Sequence, residues 1–367
     1  MKLCVLKFGG SSVATTSRIK HVSEIIASYV FNGKRVVVIT SAMQGVTNQL
    51  IELTKAFNNS SLNREYDAVV SSGELVAAGL LAMRLNSIGI KAKSLNAWQI
   101  PIKIKGEFSD AFIERVNKDK ILEEIEQGIV PIITGFQGIS ESGDVYTIGR
   151  GGSDATACAV ASVMNADECC IYTDVDGVYT ADPRIVLKAR RLKEVSYDEM
   201  LELARCGARV LQAKSIDIAK QYEVSLKVLS SFTTQGETII AKKTDYLSNR
   251  EIAGIAYNTN MAMATGNVET DDLPNIERVS ADTFIFPKSC ELKESAAIVD
   301  NNIGIVSIVG KGTKSNPEMF REEIISYIKG RSMQIKYVYE KDLSLSLVAP
   351  FQQTEITANL IHSYLFE

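Results

Sequence analysis

The chain has 367 residues, 46% of them hydrophobic and 23% charged, with a net charge of -4. That length suggests two to three domains with a sizeable core, and the mixed charge gives no basic face for nucleic acid. The only histidines are His21 and His362, which argues against a histidine zinc site or a Ser-His-Asp triad. Apolar runs fall far short of the about 18 residues a membrane span needs, and residues 1–7 are too short an apolar stretch for a signal peptide. The six cysteines show no C-x-x-C spacing and lie mostly in apolar patterns. They read as reduced core thiols of a cytoplasmic protein. A metal would be a hard ion such as Mg²⁺, held by oxygens and a substrate's phosphates.

In chain order, residues 4–8 are an apolar run broken by Gly9-Gly10-Ser11-Ser12, a buried strand and then a loop. Ser17 is placed to cap a helix over 18–31, which Asn32-Gly33 stops. The β-branched run 36–40 is a central parallel strand, followed by the small-residue loop 41–45 and a helix over 46–57. A polar surface loop is expected at 58–63, a helix at 75–85 and a short strand at 91–95. A helix over 118–127 leads to a buried strand at 129–134, and Glu141-Ser142-Gly143-Asp144 makes a hairpin turn. Thr147 to Asp154 follows, with three glycines around Arg150, and Ser153 or Asp154 is placed to cap the next helix. A strand over 168–172 ends in the oxygen-rich loop 173–184. Helices at 197–206 and 212–222 and strands at 225–229 and 238–241 complete an α/β domain with a mostly parallel sheet.

A polar linker at 242–249 marks a boundary. Beyond it, a strand at 303–309, a helix at 317–329, strands at 334–340 and 343–348 and a helix at 354–364 give a ferredoxin-like β-α-β-β-α order. The segment 251–294 has strand-like pieces at 252–257 and 283–286 but no first helix, and Asp271-Asp272-Leu273-Pro274-Asn275 occupies its place.

Four strands end in loops rich in Gly, Ser, Thr or Asp, and ligands of open α/β sheets bind beyond the carboxyl ends of strands. Lys7, closing an apolar run beside Gly9 and Gly10, suits a phosphate, although the spacing is not that of a P-loop. Surface lysines before turns are common, and Gly-rich turns alone usually mark only a hairpin. Arg150 with the helix start behind it suits a carboxylate or phosphate. Thr173, Asp174 and Asp176 read either as a solvated Asx-type turn or as the rim of a nucleotide pocket.

Read in order, Lys7-Phe8-Gly9-Gly10-Ser11-Ser12-Val13, Thr40-Ser41-Ala42-Met43, Gly45-Val46-Thr47-Asn48, Ser72-Gly73-Glu74, Gly149-Arg150-Gly151-Gly152-Ser153-Asp154, the run 173–184 and Gly207-Ala208-Arg209 closely resemble the aspartokinases of the amino-acid kinase superfamily. The resemblance covers about residues 1–243. It implies an amino-acid kinase fold, a mostly parallel central sheet sandwiched by helices, over 1–243. It further implies an α+β ferredoxin-like ACT region over 250–367, with a shortened first unit at 250–298 and a second at 299–367. The implied activity is ATP-dependent phosphorylation of the L-aspartate β-carboxylate to 4-phospho-L-aspartate, the first step towards lysine, threonine and methionine, with Mg²⁺ as cofactor. The implied catalytic residues are Lys7, Arg150, Asp154 and Arg209. ATP would be bordered by Lys7, Phe8, Gly9, Gly10, Ser41, Thr173, Asp174, Tyr179, Asp182, Arg184 and Arg209. L-Aspartate would be held by Thr47, Glu74, Arg150, Gly151, Gly152, Ser153 and Asp154, with Glu74 or Asp154 taking its ammonium. A cytoplasmic homodimer joined through the ACT-like region is implied, with no nucleic-acid or membrane partner. Arg209 departs from the lysine that relatives commonly carry, and a fork replaces a point charge there.

Overall fold

The computed structural model describes residues 1–57, 63–233, 236–242, 251–266, 268, 276–290 and 297–367. Most of the expected loop at 58–63 and of the linker at 242–249, and the Asp271–Asn275 segment, lie outside those described residues. In chain order the elements are β1 (Leu3–Phe8), α1 (Thr16–Phe31), β2 (Arg35–Thr40), α2 (Val46–Lys55), α3 (Arg64–Val70), α4 (Ser72–Ser87), β3 (Ala92–Leu95), β4 (Ile102–Glu107), β5 (Asp110–Val116), α5 (Lys118–Glu126), β6 (Val130–Thr134), β7 (Gln137–Ile139) and β8 (Val145–Thr147). Then come α6 (Gly152–Val163), β9 (Glu168–Thr173), β10 (Glu194–Ser196), α7 (Tyr197–Arg205), α8 (Ala213–Gln221), β11 (Leu226–Ser230), β12 (Glu237–Ala241), β13 (Gly254–Asn258), β14 (Met261–Thr265), β15 (Glu277–Arg278), β16 (Thr283–Pro287), β17 (Ile298–Asp300) and β18 (Ile303–Val309). A one-turn helix at Gly312–Ser315, α9 (Pro317–Lys329), β19 (Tyr337–Lys341), β20 (Ser344–Pro350) and α10 (Thr354–Phe366) complete the chain.

The chain divides into two compact units. The first holds Met1–Val178, Lys193–Tyr197 and Val210–Lys243, and the second holds Tyr179–Leu192, Asp198–Arg209 and Thr244–Glu367. The first 243 residues are therefore not one continuous body, because two short stretches of them group with the C-terminal region.

The first unit is built on an eight-stranded sheet in the order β10-β12-β11-β9-β1-β2-β6-β3. Its pairs are parallel except β11 with β12. Strand alternation sorts β1 between two faces. Cys4, Leu6 and Phe8 join the core formed with Ile19, Val22 and Ile26 of α1 and Ala77, Leu81 and Leu85 of α4. Lys7 therefore points to the opposite face, where α6 packs on β1 and β9. The four strands whose ends carry the glycine, serine and threonine loops, β9, β1, β2 and β6, are adjacent and parallel. Their carboxyl ends thus gather at one sheet edge. A smaller sheet, β5-β4-β7-β8, includes the hairpin that turns at 141–144, with Gln137 facing Thr147.

Several local expectations shift. Thr15, not Ser17, caps α1, accepting from the Arg18 amide at 3.2 Å. Neither Ser153 nor Asp154 caps α6. The cap is Gly151 in the left-handed region, which leaves both residues inside the first turn. The β4–β5 hairpin and α3 were not anticipated, since their polar faces break the apolar pattern. Arg64–Ser87 is long and apolar enough to cross a membrane, against the expectation that no run approached it. Half of that apolar window is buried within the protein, α4 packs in the core against α1, and Asp67 and Glu74 on this stretch are buried and hydrogen-bonded. It behaves as a core helix pair.

The second unit contains two four-stranded antiparallel sheets, β13-β18-β20-β19 and β15-β16-β14-β17. Ile324 and Ile328 of α9 and Ala358 and Ile361 of α10 cover the first sheet through Ile255, Val306, Ile308, Leu345 and Leu347. This is the ferredoxin-like order expected after residue 299, with one addition. β13, from the stretch assigned to the first ACT unit, pairs with β18 and belongs to the second unit's sheet. A boundary at 298/299 is thus not a sheet boundary, and β17 at 298–300 pairs back to β14. Between 259 and 300 the described residues form strands and no helix.

Candidate active site

A cavity of about 810 Å³ opens at the carboxyl edge of the parallel sheet. It is lined by Lys7, Gly10, Ser41, Thr47, Glu74 and the run Gly149–Asp154, with Gln44, Tyr66, Ser109, Phe136 and Gln212 among its other walls. Of the implied aspartate-binding residues, the cavity collects all seven: Thr47, Glu74, Arg150, Gly151, Gly152, Ser153 and Asp154.

Lys7 is almost fully buried, and its Nζ lies 2.5 Å from Asp154 Oδ1. The contact is an ion pair. Glu74 is 3% exposed. Its Oε1 accepts the Ala42 amide at 3.0 Å, while its Oε2 has no partner among the described residues. Burial pushes this carboxyl up to about 7, with the Ala42 hydrogen bond opposing the shift. Arg150 is exposed at the cavity wall, and its guanidinium makes no hydrogen bond or ion pair among the described residues. The cavity thus offers one cation held by an acid, one acid with a free oxygen, and one free guanidinium.

The loop carrying Arg150 is tightly walled. Gly149 and Gly151 both stand at φ of 78°. A Cβ on Gly149 would come 2.9 Å from Ser109 O, and one on Gly151 would come 2.5 Å from Gln212 Cβ. Only glycine meets both demands. From α8, Lys214 donates to Ile148 O at 2.9 Å, Ala111 O at 3.0 Å and Asp110 Oδ1 at 2.9 Å. Asp67 holds the other side, through Ser109 and Thr147. Sequence reading missed Asp67, Ser109, Lys214 and Gln212. Their partners lie 42 to 104 residues away for Asp67 and Lys214, so no local spacing points to them.

The residues implied for ATP are divided. Gly9 donates to Tyr172 O at 3.2 Å, and Ser41 donates its amide to Phe8 O at 3.1 Å, so the ends of β1, β2 and β9 are laced together. The Phe8 ring is fully buried and stacks on Tyr172 at 4.8 Å, leaving only its backbone near the site. Thr173 donates to Asp174 at 3.0 Å at the end of β9. Tyr179, Asp182, Arg184 and Arg209 belong to the second unit. There the Arg184 guanidinium grips Asp182 at 2.7 to 3.2 Å and holds that carboxyl below its usual range, with Arg209 adding to the effect. Arg209 itself is exposed.

The amino acid kinase family model matches residues 2–230. An aspartokinase from Rickettsia bellii is 43% identical over 284 residues, covering 76% of this chain and 70% of the relative. An aspartate kinase from Stutzerimonas stutzeri is 35% identical over 400 residues, covering 99% of this chain and 97% of the relative. The chain belongs to the aspartokinases of the amino acid kinase family. As an aspartokinase it is an enzyme of the kinase class. Escherichia coli aspartokinase III, solved with aspartate and ADP, matches at a TM-score of 0.83 over 100% of both chains. At 21% identity that likeness speaks for the aspartokinase fold alone.

Proposed function

We propose that this chain phosphorylates the β-carboxylate of L-aspartate with ATP, giving 4-phospho-L-aspartate, the first step towards lysine, threonine and methionine. The observation that carries the reading is the charge pattern of one cavity. Lys7 sits against Asp154, Glu74 keeps an unpartnered oxygen, and Arg150 is free. The relatives' names and the aspartate and ADP of the Escherichia coli structure support the same substrates.

The β-carboxylate is ionised at neutral pH, since an aspartate side chain ordinarily titrates at about 3.9, so the nucleophile needs no strong base. The barrier lies in bringing an anion to a polyanion, and positioning with positive charge lowers it. Arg150 presents a planar fork to the α-carboxylate. Asp154 is occupied by Lys7, so the ammonium goes to Glu74 Oε2. Thr47, Gly151, Gly152 and Ser153 border the remaining polar atoms. Lys7, oriented by Asp154, faces the transferring phosphoryl group, with Gly9, Gly10 and Ser41 beside it. Thr173, Asp174, Tyr179, Asp182, Arg184 and Arg209 are the proposed ATP border.

Among the described residues no three His, Cys, Asp or Glu side chains come together as a metal cluster. The donor chemistry still suits Mg²⁺, which binds through one or two carboxylates plus substrate phosphates. The exposed Asp174 carboxylate is the group that would hold it, and the ion would neutralise phosphate charge. All six cysteines are free thiols, in keeping with a cytoplasmic enzyme. A homodimer through the ACT-like region is part of the same reading.

With saturating L-aspartate, Mg²⁺ and ATP, the protein is expected to form an acyl phosphate that hydroxylamine traps as the hydroxamate. No hydroxamate above background would sink the kinase reading and favour an amino-acid-binding regulator. The same assay with millimolar lysine or threonine should show weak or no inhibition. The sequence from 264 to 282 lacks the turn and amphipathic helix of a full first ACT unit. The alignment to the Stutzerimonas stutzeri enzyme also runs longer than this chain's own 367 residues. Strong inhibition by either amino acid would refute the shortened-unit reading.

A further inference from the structure

Asp67 is a carboxylate beside the cavity wall that the proposed chemistry does not use. It is fully buried on α3, the short helix that also carries the cavity-lining Tyr66 and Val70. Its Oδ2 accepts the Ser109 amide at 2.9 Å and the Thr147 amide at 2.7 Å. Its Oδ1 accepts the Ser109 and Thr147 hydroxyls, each at 2.9 Å. Both residues are thus held twice, once by backbone and once by side chain. Four donors on one buried carboxylate make a network that is costly to leave half satisfied.

What it holds matters more than how tightly. Ser109 stands at a φ of 66° in the β4–β5 turn, and its carbonyl oxygen lies where a Cβ on Gly149 would be 2.9 Å away. Thr147 closes β8, three residues before Arg150. Asp67 therefore fixes both the start of the Arg150 loop and the wall against which it turns. Lys214 fixes the middle of the same loop from α8, through Ile148 O. Neither Asp67 nor Lys214 lines the cavity itself.

We propose that Asp67 is a positioning residue for substrate: it sets Arg150 in register with Glu74, and so tunes L-aspartate binding without touching L-aspartate or ATP. The proposal rests on the reading that Arg150 takes the α-carboxylate. Asparagine at this position keeps the shape but loses the charge: its oxygen can still accept the two amides, while its NH2 faces the two hydroxyls, which must give up donating and turn to accept.

The test uses the full chain in steady state. Asp67→Asn is expected to raise the KM for L-aspartate about tenfold or more, since a misplacement of about 1 Å can cost up to about 100-fold. The KM for ATP is expected to stay within twofold of wild type. The loss should be non-additive with Arg150→Ala, because two residues acting through one contact couple. An equal rise in both KM values, or full additivity with Arg150→Ala, would reduce Asp67 to a fold-stabilising role. If Asp67→Asn fails to fold, Thr147→Val removes a single hydroxyl donor. It should raise the L-aspartate KM in the same selective way by a smaller factor, and an unchanged KM there overturns the proposal. Wild-type turnover separates the two readings. If the unmodified protein does not phosphorylate L-aspartate, the substrate assignment fails. If it does and the variants are unselective, only the role of Asp67 fails.

Discussion

Lys7→Ala is expected to lower kcat by about 100- to 1000-fold, the scale seen when one charge-stabilising donor is removed from a preorganised site. The side chain leaves an otherwise apolar strand on the α6 face and is held at 2.5 Å by Asp154. No second lysine or arginine on β1 faces that wall, since the strand runs Leu-Cys-Val-Leu-Lys-Phe. A buried acid deprived of its partner is itself destabilising, by about 3 kcal/mol or more for well-buried pairs. Loss of activity could then follow from a disturbed α6 rather than from a missing cation. The double variant Lys7→Ala, Asp154→Asn separates these effects. It removes the uncompensated charge and should recover thermal stability, while turnover stays at the level of the single variant. Recovery of turnover to within tenfold of wild type in the double variant would show that Lys7 serves the fold and not the phosphoryl group.

The parallel sheet was legible because β1, β2, β6 and β9 are short apolar runs that end in loops of small residues, and those two signals are local. Lys7 was legible for the same reason, as one charge closing an apolar strand. Arg150 and Glu74 were legible through the family pattern. What escaped were features set by distant chain segments. The pairing of Lys7 with Asp154 depends on which face of β1 carries α6, and that follows from packing. Ser153 and Asp154 looked like helix caps because they are good capping types. Gly151 takes that place because the loop needs a left-handed residue pressed against Gln212. Asp67 carries no local mark of its role, and its four bonds reach 42 and 80 residues along the chain. The assignment of β13 to the sheet of β18 was hidden likewise, since an antiparallel pairing between residues 254–258 and 305–309 leaves no mark on either strand alone.

Glu74 gives the enzyme a pH dependence whose sign follows from its burial. Burial pushes the folded-state carboxyl up to about 7, whereas an unfolded glutamate titrates at about 4.3. Between those values the folded chain holds a proton that the unfolded chain does not. The stability Glu74 contributes is therefore full below about pH 4.3 and is lost as pH rises through about 7. The proposed recognition of the L-aspartate ammonium by Glu74 would need the opposite state, the ionised one. Function and stability thus pull this group in different directions. Between pH 8 and pH 6 the charged fraction falls about tenfold, so kcat/KM for L-aspartate, which reports the free enzyme, should fall by about the same factor. Glu74→Gln keeps an oxygen able to accept the Ala42 amide but carries no charge. It is expected to lower kcat/KM about 10- to 100-fold at pH 8, the worth of one hydrogen bond to a charged group. The remaining activity should be flat from pH 6 to pH 8, and the thermal midpoint at pH 8 should rise by about a few degrees. A Glu74→Gln enzyme that keeps the wild-type pH slope would mean that another group titrates. One that loses activity and stability together at pH 8 would mean that Glu74 is a structural acid and that the ammonium binds elsewhere.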